Sequence, residues 1–393
     1  MWIQRYLWLG MMVLSLVACQ GDGGTVEVTR EVEVTRLVTA PVTPEYIPVE
    51  VVQEVIVEVT RVVGDEADEE MAAVGGEERP LQFWSAPSSG LEIETKSDLV
   101  AEALKDVTGY EVEVMVPESD EGVLAAMCDE PQRAVGILPA AVYAFSEQLC
   151  SNYPVMTVKR YEQAWQIGMI LVPMGSDYTS VADLDGKVWG VPERDNLATY
   201  YYFKALWKSL GIEPAEEVIL GDDSSAVLAV LNGEVDFATA TYIPPILPYF
   251  ERDWVLGVDT PEMWRGYAGG GYTPQRSPIG YVLLAGEPRH GGFRIRDARA
   301  RVFDIAPTIF AETRILELGE PIPNDIIVWG GGLSLEVATT LSASLTAYAQ
   351  DEACAPLLCS RDFYDWQGLT AVTTEDFAAL RFIEEQGVLE ELE

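Results

Sequence analysis

Five cysteines and one histidine bound the chemistry open to this chain. The histidine, His290, stands in a glycine-rich loop, which argues against a histidine-based catalytic triad. The sequence holds no Gly-x-Ser-x-Gly elbow, no phosphate-loop Gly-Lys-Ser/Thr and no His-Glu-x-x-His. Asp222-Asp223 is a carboxylate pair of the kind glycosidases use. On a chain of net charge −39, however, adjacent acids are ordinary surface. No catalytic residue, metal site or cofactor is therefore expected. The cysteine spacing is not that of a zinc site. Cys354 and Cys359 bracket "APLL", and Cys128 and Cys150 flank a helix–strand unit. Outside the cytoplasm paired cysteines oxidise, so bridges Cys354–Cys359 and Cys128–Cys150 are expected there.

The fifth cysteine fixes the compartment. Residues 1–18 form an apolar run with one positive charge, Arg5, and its greasy part, Tyr6 to Ala18, is short. A spanning helix needs roughly 20 apolar residues, so residues 1–18 read as an export signal. Leu16-Val17-Ala18-Cys19 resembles a bacterial lipobox, which implies cleavage before Cys19 and acylation of it. An ordinary export signal that ends in cysteine is the other reading. Each buried CH₂ of an acyl chain contributes about 0.8 kcal/mol, so two or more chains anchor durably. The expected location is the outer face of the bacterial cell membrane, tethered and not spanning.

The charge of −39 argues against nucleic acid and against anionic headgroups. With 48% apolar and 10% aromatic residues, 393 residues suffice for a large core. "VEVTR" recurs at Val26, Val32 and Val57. Valine alternating with charge is a strand pattern, but strands without neighbours are marginal. Residues 19–79 therefore read as a lipid-anchored stalk, or a self-paired hairpin, followed by an acidic linker. The body begins near Pro80. "LQFWSAP" is a strand. "LEIETKSDLVAEALKDVTG" is a helix with Leu99, Ala103 and Leu104 on one face and Gly109 at its end. Strand and helix alternate from there on, which implies α/β architecture, a mainly parallel sheet with helices on both faces, and ligands at the strands' carboxyl ends.

"YTSVADLDGKVWGVPERDNLATYYYFKALWKSLGIEP", Tyr178 to Pro214, carries a family resemblance. So do "SSAVLAVLNGEVDFATA", "EPIPNDIIVWGGGLSLEVATTLSASLTAY" and "EDFAALRFIEEQG", in that order. The body resembles the PhnD-like solute-binding proteins of phosphonate, phosphate and phosphite ABC importers, within the type II periplasmic-binding fold. The resemblance implies two lobes, 80–165 plus 323–393 and 166–322, hinged near "QIGMILVP" and "EPIPNDIIV". It implies a monomer that binds a small polar solute and hands it to an ABC permease and ATPase. A sensor of the same fold, reporting to a signalling partner, is the alternative.

The resemblance also assigns a pocket. Relatives hold phosphonate oxygens with a Ser-Thr-Ser-Gly turn at a helix start, where free N–H groups and the helix dipole favour an anion. The aligned residues here are Asn196, Leu197, Ala198 and Thr199, with Glu193 and Asp195 adding negative charge. Asn196 or Asp195 can equally be the helix cap alone. Tyr143 aligns with a cleft tyrosine and competes with a packing role. Ser224, Thr239 or Thr241, and Tyr242 stand where relatives carry acids or neighbours of acids. Trp84, Ser85 and Ser88 end the first strand, with Trp84 either core or pocket. Fewer hydroxyls and more carboxylates suit an amine-bearing or less anionic solute.

Overall fold

The structure is a computed structural model that describes residues 73–87, 93–146, 152–270, 273–285, 291–361 and 363–388. All lie in the unit Ala72–Glu393. The export signal, Cys19, the repeat stalk and Ser88 lie outside the described residues.

The chain first lays down β1 (Leu81–Ser85), α1 (Ile93–Thr108), β2 (Val112–Met115), α2 (Asp120–Asp129), β3 (Ala134–Leu138), α3 (Ala140–Ser146) and β4 (Tyr153–Val158). It then crosses to β5 (Trp165–Pro173), β6 (Val188–Val191), a wide helical turn Leu197–Tyr201 running into α4 (Tyr202–Leu210), β7 (Glu216–Ile219), α5 (Asp223–Asn232) and β8 (Phe237–Tyr242). A small antiparallel module follows, β9 (Gln275–Arg276), β10 (Val282–Leu284) and β11 (Phe293–Ile295), then α6 (Arg299–Val302), α7 (Ile309–Glu312) and β12 (Thr313–Leu318). The return passes through β13 (Ile322–Pro323) to β14 (Ile326–Trp329), α8 (Leu335–Tyr348), β15 (Leu369–Ala371) and α9 (Ala378–Glu385).

Two sheets result, ordered β15-β4-β14-β3-β1-β2 and β12-β5-β8-β6-β7. They repeat one plan. In each, three parallel strands are followed by one antiparallel strand that has just crossed, β14 in the first and β5 in the second. Register shows where the crossings lie. Ile326, the first residue of β14, pairs with Leu138, the last of β3. Ile167, near the start of β5, pairs with Tyr242, the last of β8. The crossings therefore enter both sheets at the carboxyl ends of the parallel strands. This is the two-lobed type II periplasmic-binding fold.

Local sequence accounts for the elements. Every residue of β1 and of β3 is buried, as expected of strands covered on both faces. Asp222 caps α5 by accepting from Ser225 N, and Gly233, at φ 71°, ends it in the left-handed conformation that glycine adopts without strain. On α1 the buried stripe is Ile93, Val100 and Leu104, seven and then four residues apart. Leu99, expected on that stripe, is 54% exposed. It lies five positions from Leu104, about 140° around the helix.

Three clusters of buried side chains fill the body. One lies between the first sheet and α1 and α8. One lies behind the second sheet, against α5 to α7. The third runs from α2 and α3 through α9 to the face of the second sheet covered by α4, so it belongs to both lobes. Arg299, fully buried, ties the segment after β8 in place through Asp297 at 2.8 Å and Glu262 at 2.5 Å. Cys354 and Cys359 are bridged, with Cα atoms 5.1 Å apart. Cys128 is disulfide-bonded, and Cys150 lies outside the described residues. Among the described residues no helix is long and apolar enough to cross a membrane.

One close approach holds the helix start against β5. A Cβ on Gly168 would lie 2.2 Å from Ala198 O and 2.6 Å from Phe203 Cε2. Gly168→Ala is expected to lower unfolding free energy by about 1–3 kcal/mol through overpacking. At Gly175 a Cβ meets nothing, so Gly175→Ala should stay within about 0.5 kcal/mol. Urea denaturation of the two variants checks both values.

Candidate functional site

The residues singled out in the sequence sort by strand end. On the second lobe, β6 ends at Val191, and Glu193, Arg194 and Asp195 are exposed before the helix begins. Asn196 is the cap. Its Oδ1 accepts from Ala198 N at 2.9 Å and Thr199 N at 3.0 Å. Its carbonyl accepts from Tyr200 N at 3.0 Å and Tyr201 N at 3.2 Å, and Leu197 O accepts from Tyr202 N. The five-residue spacing of the last two bonds makes the first turn π-helical, a wide turn that often marks functional sites.

The consequence for an anion is direct. A helix start attracts anions because its first amides lack partners. Here the amides of residues 198 to 201 are already bonded to Asn196. The turn itself is buried from Leu197 to Tyr201. Thr199 is 1% exposed, and its Oγ1 has no hydrogen-bond partner. Most buried hydroxyls in proteins are satisfied, and this one is not.

Aromatic rings set the wall beside it. Tyr200 stacks on Trp189 at 5.6 Å, and its hydroxyl donates to Glu217 at 3.2 Å. Tyr201 meets Tyr200 edge-on at 5.2 Å. Burial, then neighbouring Tyr200 and Asp195, push the Tyr201 phenol above its ordinary range.

The end of β8 contributes by alternation. Thr239 is fully buried and accepts from Trp189 Nε1 at 3.1 Å. Thr241 donates its amide to Asp223 Oδ1 at 2.9 Å. Asp223, in the first turn of α5 beside the half-buried Ser224, also lies 3.4 Å from Arg301. Tyr242 does not join this group. Successive strand residues face opposite ways, and Tyr242 points into the core behind the sheet, its ring 5.6 Å from Trp254 and its hydroxyl donating to Pro261 O. Burial pushes that phenol well above its ordinary range.

On the first lobe, Ser85 ends β1 fully buried, and its hydroxyl is hydrogen-bonded to that of Tyr364. Tyr143 on α3 is buried with its ring 5.0 Å from Phe377. Trp84 is buried, and its Nε1 has no partner. Tyr364 was not visible in the sequence pattern: its hydroxyl reaches β1 across 279 positions. Asp223, just before Ser224, is the more buried of the two and the one that bonds β8.

Ser85, Tyr143, Asn196, Ala198, Thr199, Ser224 and Thr241 thus all lie at or just after carboxyl strand ends. Two cavities among the described residues lie elsewhere, one among Leu81, Phe83 and Leu345 in the first lobe's core and one around Glu162, Pro244 and Arg296. No group of three His, Cys, Asp or Glu side chains among the described residues could hold a metal ion.

A family described as "ABC transporter, phosphonate, periplasmic substrate-binding protein" matches residues 86–377. No curated protein matches the chain. Among solved structures, XAC2383 from Xanthomonas citri bound to ATP is similar at 15% identity, covering 80% of this chain and 99% of its own, with a TM-score of 0.49. A binding protein component of an ABC phosphonate transporter from Pseudomonas aeruginosa is 13% identical over 79% of this chain and 88% of its own, TM-score 0.40. PhnD1 from Prochlorococcus marinus, in complex with methylphosphonate, is 8% identical over 79% and 98%, TM-score 0.41.

The cap can be tested apart from any solute. Asn196→Ala strands two amides and is expected to cost about 1 kcal/mol, whereas Asn196→Ser keeps an acceptor and should cost less than half of that. Chemical denaturation of both variants measures the difference.

Proposed function

Because the chain belongs to the phosphonate periplasmic substrate-binding family of ABC transporters, we propose that it captures a small polar solute between its lobes and delivers it to an ABC permease and ATPase. That family consists of transport proteins and not of enzymes. Its members work outside the cytoplasm. The lipid anchor at Cys19, the stalk, the monomeric state and the lobe limits, 80–165 plus 323–393 and 166–322, complete the reading.

The observation that carries the site is the unpartnered hydroxyl of Thr199, buried at the helix start after β6. A buried polar atom without a partner is costly, and a solute in the cleft would supply the missing bond. Tyr143, Ser224 and Thr241 belong to the same reading.

The solute is amine-bearing or weakly anionic. Two features support this. Asn196 occupies the amides that would otherwise hold a phosphonate. The segments after β6 and β7 also carry Glu193, Asp195, Asp222 and Asp223 against Arg194 and, from α6, Arg301, an excess of negative charge that repels an anion.

Thr199→Val tests the site. Removing a hydroxyl that bonds nothing should leave the unliganded stability within about 0.5 kcal/mol. If the hydroxyl grips solute, Kd should rise about tenfold or more, equivalent to about 1.4 kcal/mol. Calorimetric titration against ethanolamine, choline, phosphate, phosphite and methylphosphonate supplies the affinities. Binding of an amine is expected. Tight phosphate or methylphosphonate binding with no response to amines contradicts the solute class, and an unchanged Kd in Thr199→Val contradicts the site.

A further inference from the structure

The first crossing contains a turn that ordinary sequence chemistry disfavours. Arg160 and Gln163 exchange both backbone hydrogen bonds, each 2.9 Å. Between them Tyr161 and Glu162 have φ of 53° and 64°. A two-residue turn with both central residues left-handed normally takes asparagine, aspartate or glycine. Tyrosine and glutamate hold that conformation only where the surroundings over-determine it.

The surroundings do so from the first lobe. Arg160 Nη2 donates to Asp325 Oδ2 at 2.6 Å and to Tyr364 O at 2.9 Å. Tyr161 N donates to Gln367 Oε1 at 2.7 Å, and Gln367 N to Lys159 O at 2.9 Å. The turn thus moves with the first lobe. Glu162 reaches the other way. Its Oε2 lies 2.5 Å from Nη1 of Arg296, which follows β11 in the second lobe. Arg296 is fixed there by Nε donating to Pro244 O at 2.8 Å, next to the buried Asp297–Arg299 pair.

Between the turn and the second lobe lies an open cavity of about 90 Å³, lined among others by Glu162, Pro244, Leu247, Trp254 and Arg296. Close packing is therefore incomplete across this gap, and the ion pair spans it. The Arg296 side chain is 10% exposed and that of Glu162 61%. An arginine this buried is costly to leave unpaired.

We propose that Glu162 and Arg296 are positioning residues that set how the second lobe sits about the crossings. Breaking their pair lets the lobes populate other arrangements. Solute affinity follows, because apparent Kd rises in proportion as the binding-competent fraction falls. Neither residue touches the solute in this scheme, and the effect holds whichever solute the cleft takes.

Electron–electron double resonance tests this without any solute. Ketone-bearing residues at exposed positions 234 and 336, one on each lobe, carry the nitroxides, so the native cysteines stay out of the labelling. The full chain should give one narrow distance distribution. Glu162→Gln, at an exposed carboxylate, should broaden or shift it, while Glu162→Asp, which keeps the charge, should stay near the parent. A Glu162→Gln distribution identical to the parent overturns the proposal. So does an Asp variant displaced as far as the Gln variant, since charge pairing would then not be what holds the lobes.

Discussion

Asn324 holds the two crossings together, and the geometry of the whole body depends on that junction. Its side-chain amide donates to Val158 O at 2.9 Å and Gln163 O at 3.0 Å, and its backbone N–H donates to Ala164 O at 3.1 Å. One buried residue between β13 and β14 thus satisfies three carbonyls on the outgoing crossing. Thr157 adds a hydroxyl bonded to Ala164 O and Asp325 O. Because each sheet takes its antiparallel strand from across this junction, neither sheet is complete without it. Those strands enter at the carboxyl ends, where Ser85, Tyr143, Asn196 and Thr241 also lie. A hinge of this kind absorbs rotation in a few residues while the packed lobes stay rigid.

The site chemistry follows from what those loops leave unsatisfied. A helix start can serve as an anion receptor, and in this chain a side chain from its own cap closes it. Beside that cap the Thr199 hydroxyl is buried without a partner, next in the chain to the buried Tyr200 and Tyr201. The sequence of residues 86–377 identifies the transport family.

Much of this was legible in the sequence because it is local. The strand–helix alternation, the turn at Asn232-Gly233, the helix end at Gly109 and the helix start near Asn196 are set by neighbours within a few residues. Facing was read less well. Leu99 was placed on the buried stripe of α1, where Val100 stands instead. Tyr242 was grouped with Thr241, although adjacent strand residues face opposite ways. Contacts across the chain left no local signal, as with the bond between Ser85 and Tyr364. The turn at Tyr161-Glu162 was hidden for the opposite reason, since its residue types argue against the conformation they adopt.

The most direct measurement of the central claim is a crystal structure of the protein purified from its native source, with its solute retained. The account predicts a small polar molecule between the lobes, at the carboxyl ends of β1 and β6, bonded to Thr199 Oγ1 and leaving the Asn196 cap intact. A solute bound away from these strand ends, or held by amides of Ala198 and Thr199 released from Asn196, would contradict it.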